Sequence, residues 1–67
     1  MRTAKELERL FTEEGGAIEL TDKTWISDYG NKYQLFSEDL DDGYTPIREL
    51  TVEEVNTLLF LAGKGIN

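Results

Sequence analysis

The sequence predicts a small single α+β domain spanning residues 1–67, a three-stranded antiparallel β-meander with two helices on one face in the order α-β-β-β-α. Three observations lead there. Two capping boxes open stretches of helical period, at Thr3-Ala4-Lys5-Glu6 and Thr51-Val52-Glu53-Glu54. Between them the apolar period changes from 3.6 to 2. Sixty-seven residues with one proline and no cysteine leave room for one core, near the size where a chain buries only about 60% of its unfolded surface.

In the first helix Ala4, Leu7, Leu10 and Phe11 form one stripe about 120° wide, while Lys5, Glu8, Arg9 and Thr12 point away from it. Gly15-Gly16 closes it. Arg2 with Glu6 and Arg9 with Glu13 are spaced i,i+4 and read as a solvated face. Then Ala17-Ile18-Glu19-Leu20, Thr24-Trp25-Ile26-Ser27 and Lys32-Tyr33-Gln34-Leu35-Phe36 give three strands. Gly30-Asn31 reads as a two-residue hairpin turn, with a bulged Asp28-Tyr29-Gly30 loop as the competitor. The first register sets Trp25 opposite Phe36 and Ile26 opposite Leu35; the second sets Trp25 opposite Tyr33. In both, the second sheet face keeps some large apolar side chains.

Tyr44-Thr45-Pro46-Ile47-Arg48 is expected to run extended into the second helix, since residues before Pro avoid the α region and Pro46 rules out a central strand. In that helix Leu50 and Val55 make a hydrophobic staple around the Thr51 cap, and Gly63 ends it. At about 100° per residue, Val52, Leu58, Leu59 and Ala62 fall within about 60° of Val55. Phe60 lies near 140°, between Glu53, Asn56 and Thr57, on the side the pattern marks as wet. Either the tail Lys64-Gly65-Ile66-Asn67 or another element covers it, or it anchors a partner. The expected core is Leu7, Leu10, Phe11, Ile18, Leu20, Leu35, Val55, Leu58, Leu59 and Ala62.

Composition excludes more chemistry than it suggests. Without His or Cys there is no imidazole base, no thiol nucleophile and no zinc site of the usual kinds, and the chain reads as a non-enzyme with no cofactor. Measured against the EF-hand spacing from Asp39, Tyr44 falls where Gly is needed and Leu50 where a bidentate Glu is needed, so the calcium motif fails. No glycine-rich phosphate loop is present, because Gly15-Gly16 follows a helix instead of opening one. The longest apolar run, Leu58 to Ala62, is far short of the roughly 20 residues that cross a bilayer. The first residues lack the apolar stretch of a signal peptide, and a cytoplasmic protein is expected.

Fourteen acids against seven bases give a net charge of -7, which repels nucleic acid and anionic membrane. Residues 1–32 hold seven acids and five bases, whereas residues 33–63 hold seven acids and only Arg48. Glu38, Asp39, Asp41 and Asp42 form the densest cluster, extended by Glu49, Glu53 and Glu54, with Tyr44 and Tyr29 as interface-type aromatics beside them. These residues and Phe60 are the candidate partner-binding set. The expected partner is a basic, nucleic-acid-handling protein whose phosphate-binding groove the carboxylates occupy. By size and charge the chain is similar to the small acidic phage proteins that block polymerases, restriction systems or CRISPR effectors. The alternative is a homo-oligomeric structural or regulatory module, such as a homodimer, that associates through Phe60 and the second sheet face.

Overall fold

The computed structural model describes residues 1–30 and 32–64. The half of the hairpin turn assigned to residue 31 and the tail at 65–67 lie outside the described residues. Helix α1 (Ala4–Glu13) leads into β1 (Ala17–Thr21), β2 (Thr24–Tyr29), β3 (Lys32–Ser37) and β4 (Arg48–Leu50), and helix α2 (Val52–Leu61) follows. All neighbouring strands are antiparallel, in the order β1-β2-β3-β4. The sheet therefore has four strands, not three, and the element order is α-β-β-β-β-α. Strand β4 escaped the sequence reading because three residues are too few to show alternation and Pro46 stands just before them. At a sheet edge that proline is tolerated. Ile47 N–H already donates to Leu35 O at 2.7 Å, one residue ahead of the strand.

Both helices start as their caps require. Thr3 Oγ1 accepts from Glu6 N–H while the Glu6 carboxylate accepts from Thr3 N–H, and Thr51 and Glu54 repeat the arrangement. Each box satisfies two backbone donors that the first turn leaves open. These bonds hold the Glu6 and Glu54 carboxyls below the ordinary value, the backbone bond to Thr3 or Thr51 being the main cause. Arg9 and Glu13, though spaced for it, do not close to an ion pair; those among the described residues are Lys32–Glu49 at 3.6 Å and Arg48–Glu54 at 2.6 Å.

The hairpin takes the two-residue register. Tyr29 pairs with Lys32, Ile26 with Leu35 and Trp25 with Phe36, and Gly30 at φ +69° supplies the positive φ that such a short connection demands. Antiparallel partners share a face. Ile18, Ile26, Leu35, Tyr33 and Leu50 therefore point to one side, and Ala17, Glu19, Trp25, Ser27, Gln34, Phe36 and Glu49 to the other. Leu7 and Phe11 of α1 and Val55 and Leu59 of α2 join the first side in one buried cluster with Ile18, Ile26, Tyr33 and Leu50. Phe11 meets Tyr33 ring to ring at 5.0 Å.

Several expected core residues sit differently. Leu10, Leu20, Leu35 and Leu58 are half-buried against the cluster, and Ala62 is half-buried. Ile26, Tyr33 and Leu50 take the central places instead. Asn56, which the helical wheel put on the wet side, is buried. Its Oδ1 accepts from Arg2 N–H at 2.9 Å, and its Nδ2 donates to Arg2 O and Val52 O. A contact 54 residues away in sequence cannot be read from a local period. Among the described residues no helix is long and apolar enough to cross a membrane.

Leu59→Ala, at a fully buried site, is expected to cost about 2–5 kcal/mol in denaturant unfolding, and Leu58→Ala at its half-buried neighbour clearly less. Asp28 gives a pH-dependent case. Its carboxyl, on the helix side beside Tyr33, is raised above the ordinary 3.8 by desolvation and, second, by the charge of Glu8. The folded state thus disfavours the ionised form. This group's contribution is fully favourable below the ordinary value and is lost as pH rises through the raised one. Asp28→Asn should raise Tm at neutral pH, with the gain vanishing by about pH 3. A gain that persists in acid would assign the effect to packing.

Candidate functional site

The loop that follows β3 is built around a serine. Ser37 is fully buried; its hydroxyl shares a 2.8 Å hydrogen bond with Thr24 Oγ1 and accepts from Asp39 N–H at 3.1 Å and Leu40 N–H at 3.3 Å. Its carbonyl accepts from Asp41 N–H at 3.0 Å. One residue thereby holds three consecutive backbone donors. A short hydroxyl side chain does this well because it reaches its own downstream backbone.

Asp42 closes the second half. Its Oδ1 accepts from Tyr44 N–H and Thr45 N–H, both at 2.8 Å, and its Oδ2 accepts from Thr45 Oγ1 at 3.2 Å. These bonds, led by the Thr45 and Tyr44 backbone, hold the carboxyl below its ordinary range. Gly43 follows at φ +83°, and a Cβ there would lie 2.7 Å from Glu38 Cγ and 3.4 Å from Trp25 Cη2. The loop is therefore folded back on Trp25, on the sheet face away from the helices, where Trp25 and Phe36 stack at 5.9 Å and 7°.

What this scaffold displays is mixed in character. Glu38, Asp39, Asp41 and Asp42 are all exposed, and no Lys or Arg pairs with them among the described residues. Between them Leu40 is 75% exposed and Tyr44 89%. Leu40 was not among the sequence candidates; the available signal was a leucine set within a run of carboxylates, which neither helix nor strand period explains.

The other candidates are not gathered here. Glu49 pairs with Lys32 on the open sheet face, and Glu54 is engaged by its cap and by Arg48. Glu53 is exposed in the first turn of α2, where the helix dipole favours an acid. Tyr29, exposed, lies at the far end of β3 from the loop, about 17 Å away by strand rise. Phe60 stands on α2, 72% exposed beside Leu61 at 73%. The structure thus brings together Glu38, Asp39, Asp41, Asp42 and Tyr44, and leaves Tyr29, Glu49, Glu53, Glu54 and Phe60 on other parts of the surface.

Among the described residues no group of three or more His, Cys, Asp or Glu side chains is arranged to hold a metal ion. Compared with protein-family models, curated proteins and solved structures, the chain matches none of them.

Ser37→Ala removes the hydroxyl while leaving the buried volume nearly unchanged. It is expected to cost about 1–3 kcal/mol, because Thr24 and two loop amides lose a partner, and to speed amide exchange at Asp39 and Leu40 relative to the core. Unchanged exchange at those two amides would show the loop to be held by other contacts.

Proposed function

We propose that the protein is a non-enzymatic binding module that docks its 38–44 loop on a basic surface of a partner protein. The single observation that carries this reading is the loop itself. Four exposed carboxylates, none of them in an ion pair among the described residues, flank Leu40 and Tyr44, on a backbone tied down by Ser37 and Asp42. A loop already held in shape forfeits little entropy on binding, and its charges speed encounter with a positive surface. Only charges within about 8 Å of the contact matter at physiological salt, so the loop counts for more than the net charge.

The finer reading concerns the partner. Carboxylates on a firm loop suit a surface built for phosphates, so the partner is taken to be a nucleic-acid-handling protein such as a polymerase, restriction or CRISPR effector. The module acts as its inhibitor or modulator, in the manner of small acidic phage proteins acting inside a host cell. At -7 the chain has no attraction of its own for nucleic acid.

A second reading is favoured by one observation. Phe60 and Leu61 are adjacent and exposed at the acid-free end of α2, which fits a homo-oligomeric module associating there and through the Trp25 and Phe36 face. That reading requires a sedimentation mass above 7.7 kDa that Phe60→Glu returns to the monomer.

The loop reading is tested with Glu38→Lys/Asp39→Lys, which spares Asp41 and Asp42, whose carboxylates accept from loop amides. Against a partner isolated from the native host, the double variant should bind about 10- to 100-fold more weakly at unchanged fold, mainly through a slower association rate. Wild-type affinity should fall as salt rises. Equal affinity of variant and wild type, with no dependence on salt, would remove the loop from the interface.

A further inference from the structure

Strand β1 is a sheet edge whose outer side pairs with nothing among the described residues. Beside it runs a groove of about 490 Å³ between the C-terminal ends of the two helices. Leu10 and Glu14 line it from α1 and the residue after it, Leu59 and Lys64 from the end of α2, and Ala17, Ile18 and Glu19 from β1. Successive strand residues point to opposite faces, so a groove that touches three in a row must reach the strand's edge and its free N–H and C=O groups.

The electrostatics of this groove break a local rule. Helix C-termini carry partial negative charge and favour Lys, Arg or His. Neither helix has a basic residue in its last turn, and α1 ends instead in Glu13 and Glu14. Glu19 stands exposed at the middle of the edge, and Lys64 is the one base in the lining. Two helix ends and Glu14 thus face a groove floored by Leu10 and Ile18, while Glu19 stands at the same edge on the opposite face of the strand, and no cation is paired to Glu14 or Glu19 among the described residues. A second copy does not fit the site. Pairing β1 with itself about Glu19 would set two carboxylates side by side and bring together two chains of charge -7.

We infer that β1 accepts an extended, cationic segment of a partner protein as a fifth strand, with an apolar side chain of that segment over Leu10 and Ile18, its alternate Lys or Arg side chains on the opposite face beside Glu19, and a base at the segment's end next to Glu14. Backbone pairing supplies the affinity, and the acids and the groove select the alternating basic and apolar pattern. This surface uses none of the residues of the 38–44 loop and stands or falls apart from it.

The probe is a short capped peptide of alternating lysine and valine, titrated into the isotope-labelled full chain and followed by NMR. Shifts should concentrate at Ala17, Ile18, Glu19, Leu10 and Leu59, with slowed exchange of the outward-facing β1 amides. A glutamate–valine peptide should bind at least about tenfold more weakly. So should the lysine–valine peptide against Glu14→Lys/Glu19→Lys or, if that variant unfolds, against Glu14→Gln/Glu19→Gln. Two further peptides, N-methylated on the lysine or on the valine amides, separate strand pairing from plain charge attraction, and one of them should lose binding. Four outcomes overturn the inference: shifts confined to residues 38–44, equal binding of both methylated peptides, outward β1 amides already protected in the free monomer by the chain's own residues 65–67, or protection that grows with protein concentration through a second copy.

Discussion

Because Tyr29 pairs with Lys32, only two residues join β2 to β3, and the whole ladder is in register from that turn outward. Gly30, at φ +69°, makes so tight a reversal affordable in a backbone of L-residues. The register puts Ile26 and Tyr33 under the helices and turns Trp25 and Phe36 to the other side, where they stack. A slip of one residue would exchange the two sets. The core cluster, the position of β4 against Tyr33 and Leu35, and the shelf on which the acidic loop rests all presuppose this one pairing.

The fourteen carboxylates do different jobs. Glu6 and Glu54 complete helix caps, Asp42 folds a turn, and Glu49 and Glu54 meet Lys32 and Arg48. Asp28 is held where ionisation is disfavoured, by desolvation and by Glu8. What is left over is informative because these structural uses are subtracted. Asp41 accepts from Asp42 N–H at 2.9 Å; Glu38 and Asp39 remain on a loop held by Ser37, Glu14 and Glu19 remain beside the β1 groove, and Glu8, Glu13, Asp22 and Glu53 are exposed elsewhere. In a domain this small, whose net stability is the difference of large opposing terms, charges set against a helix dipole point to use outside the folded chain.

The candidate site was half legible. The density of acids at 38–42 showed in the sequence, as did the aromatic at Tyr44, and the structure keeps them together. Glu49, Glu53 and Glu54 looked contiguous with them only because they are near in sequence; β4 and the cap of α2 carry them elsewhere and give two of them partners. Leu40 and the β1 edge were missed for the same reason in reverse. Exposure of a leucine, or of one side of a strand, depends on what the rest of the chain leaves uncovered.

Local chemistry in the sequence was enough to determine both helices, their caps at Thr3 and Thr51 and the first three strands, since each depends on residues within about four positions of one another. Tertiary structure alone decided the fourth strand, the choice of hairpin register, the burial of Asn56 against Arg2 and the division of acids into paired and free. Those outcomes rest on contacts between residues far apart in the chain, where closing the loop and burying the surface settle what no local period encodes.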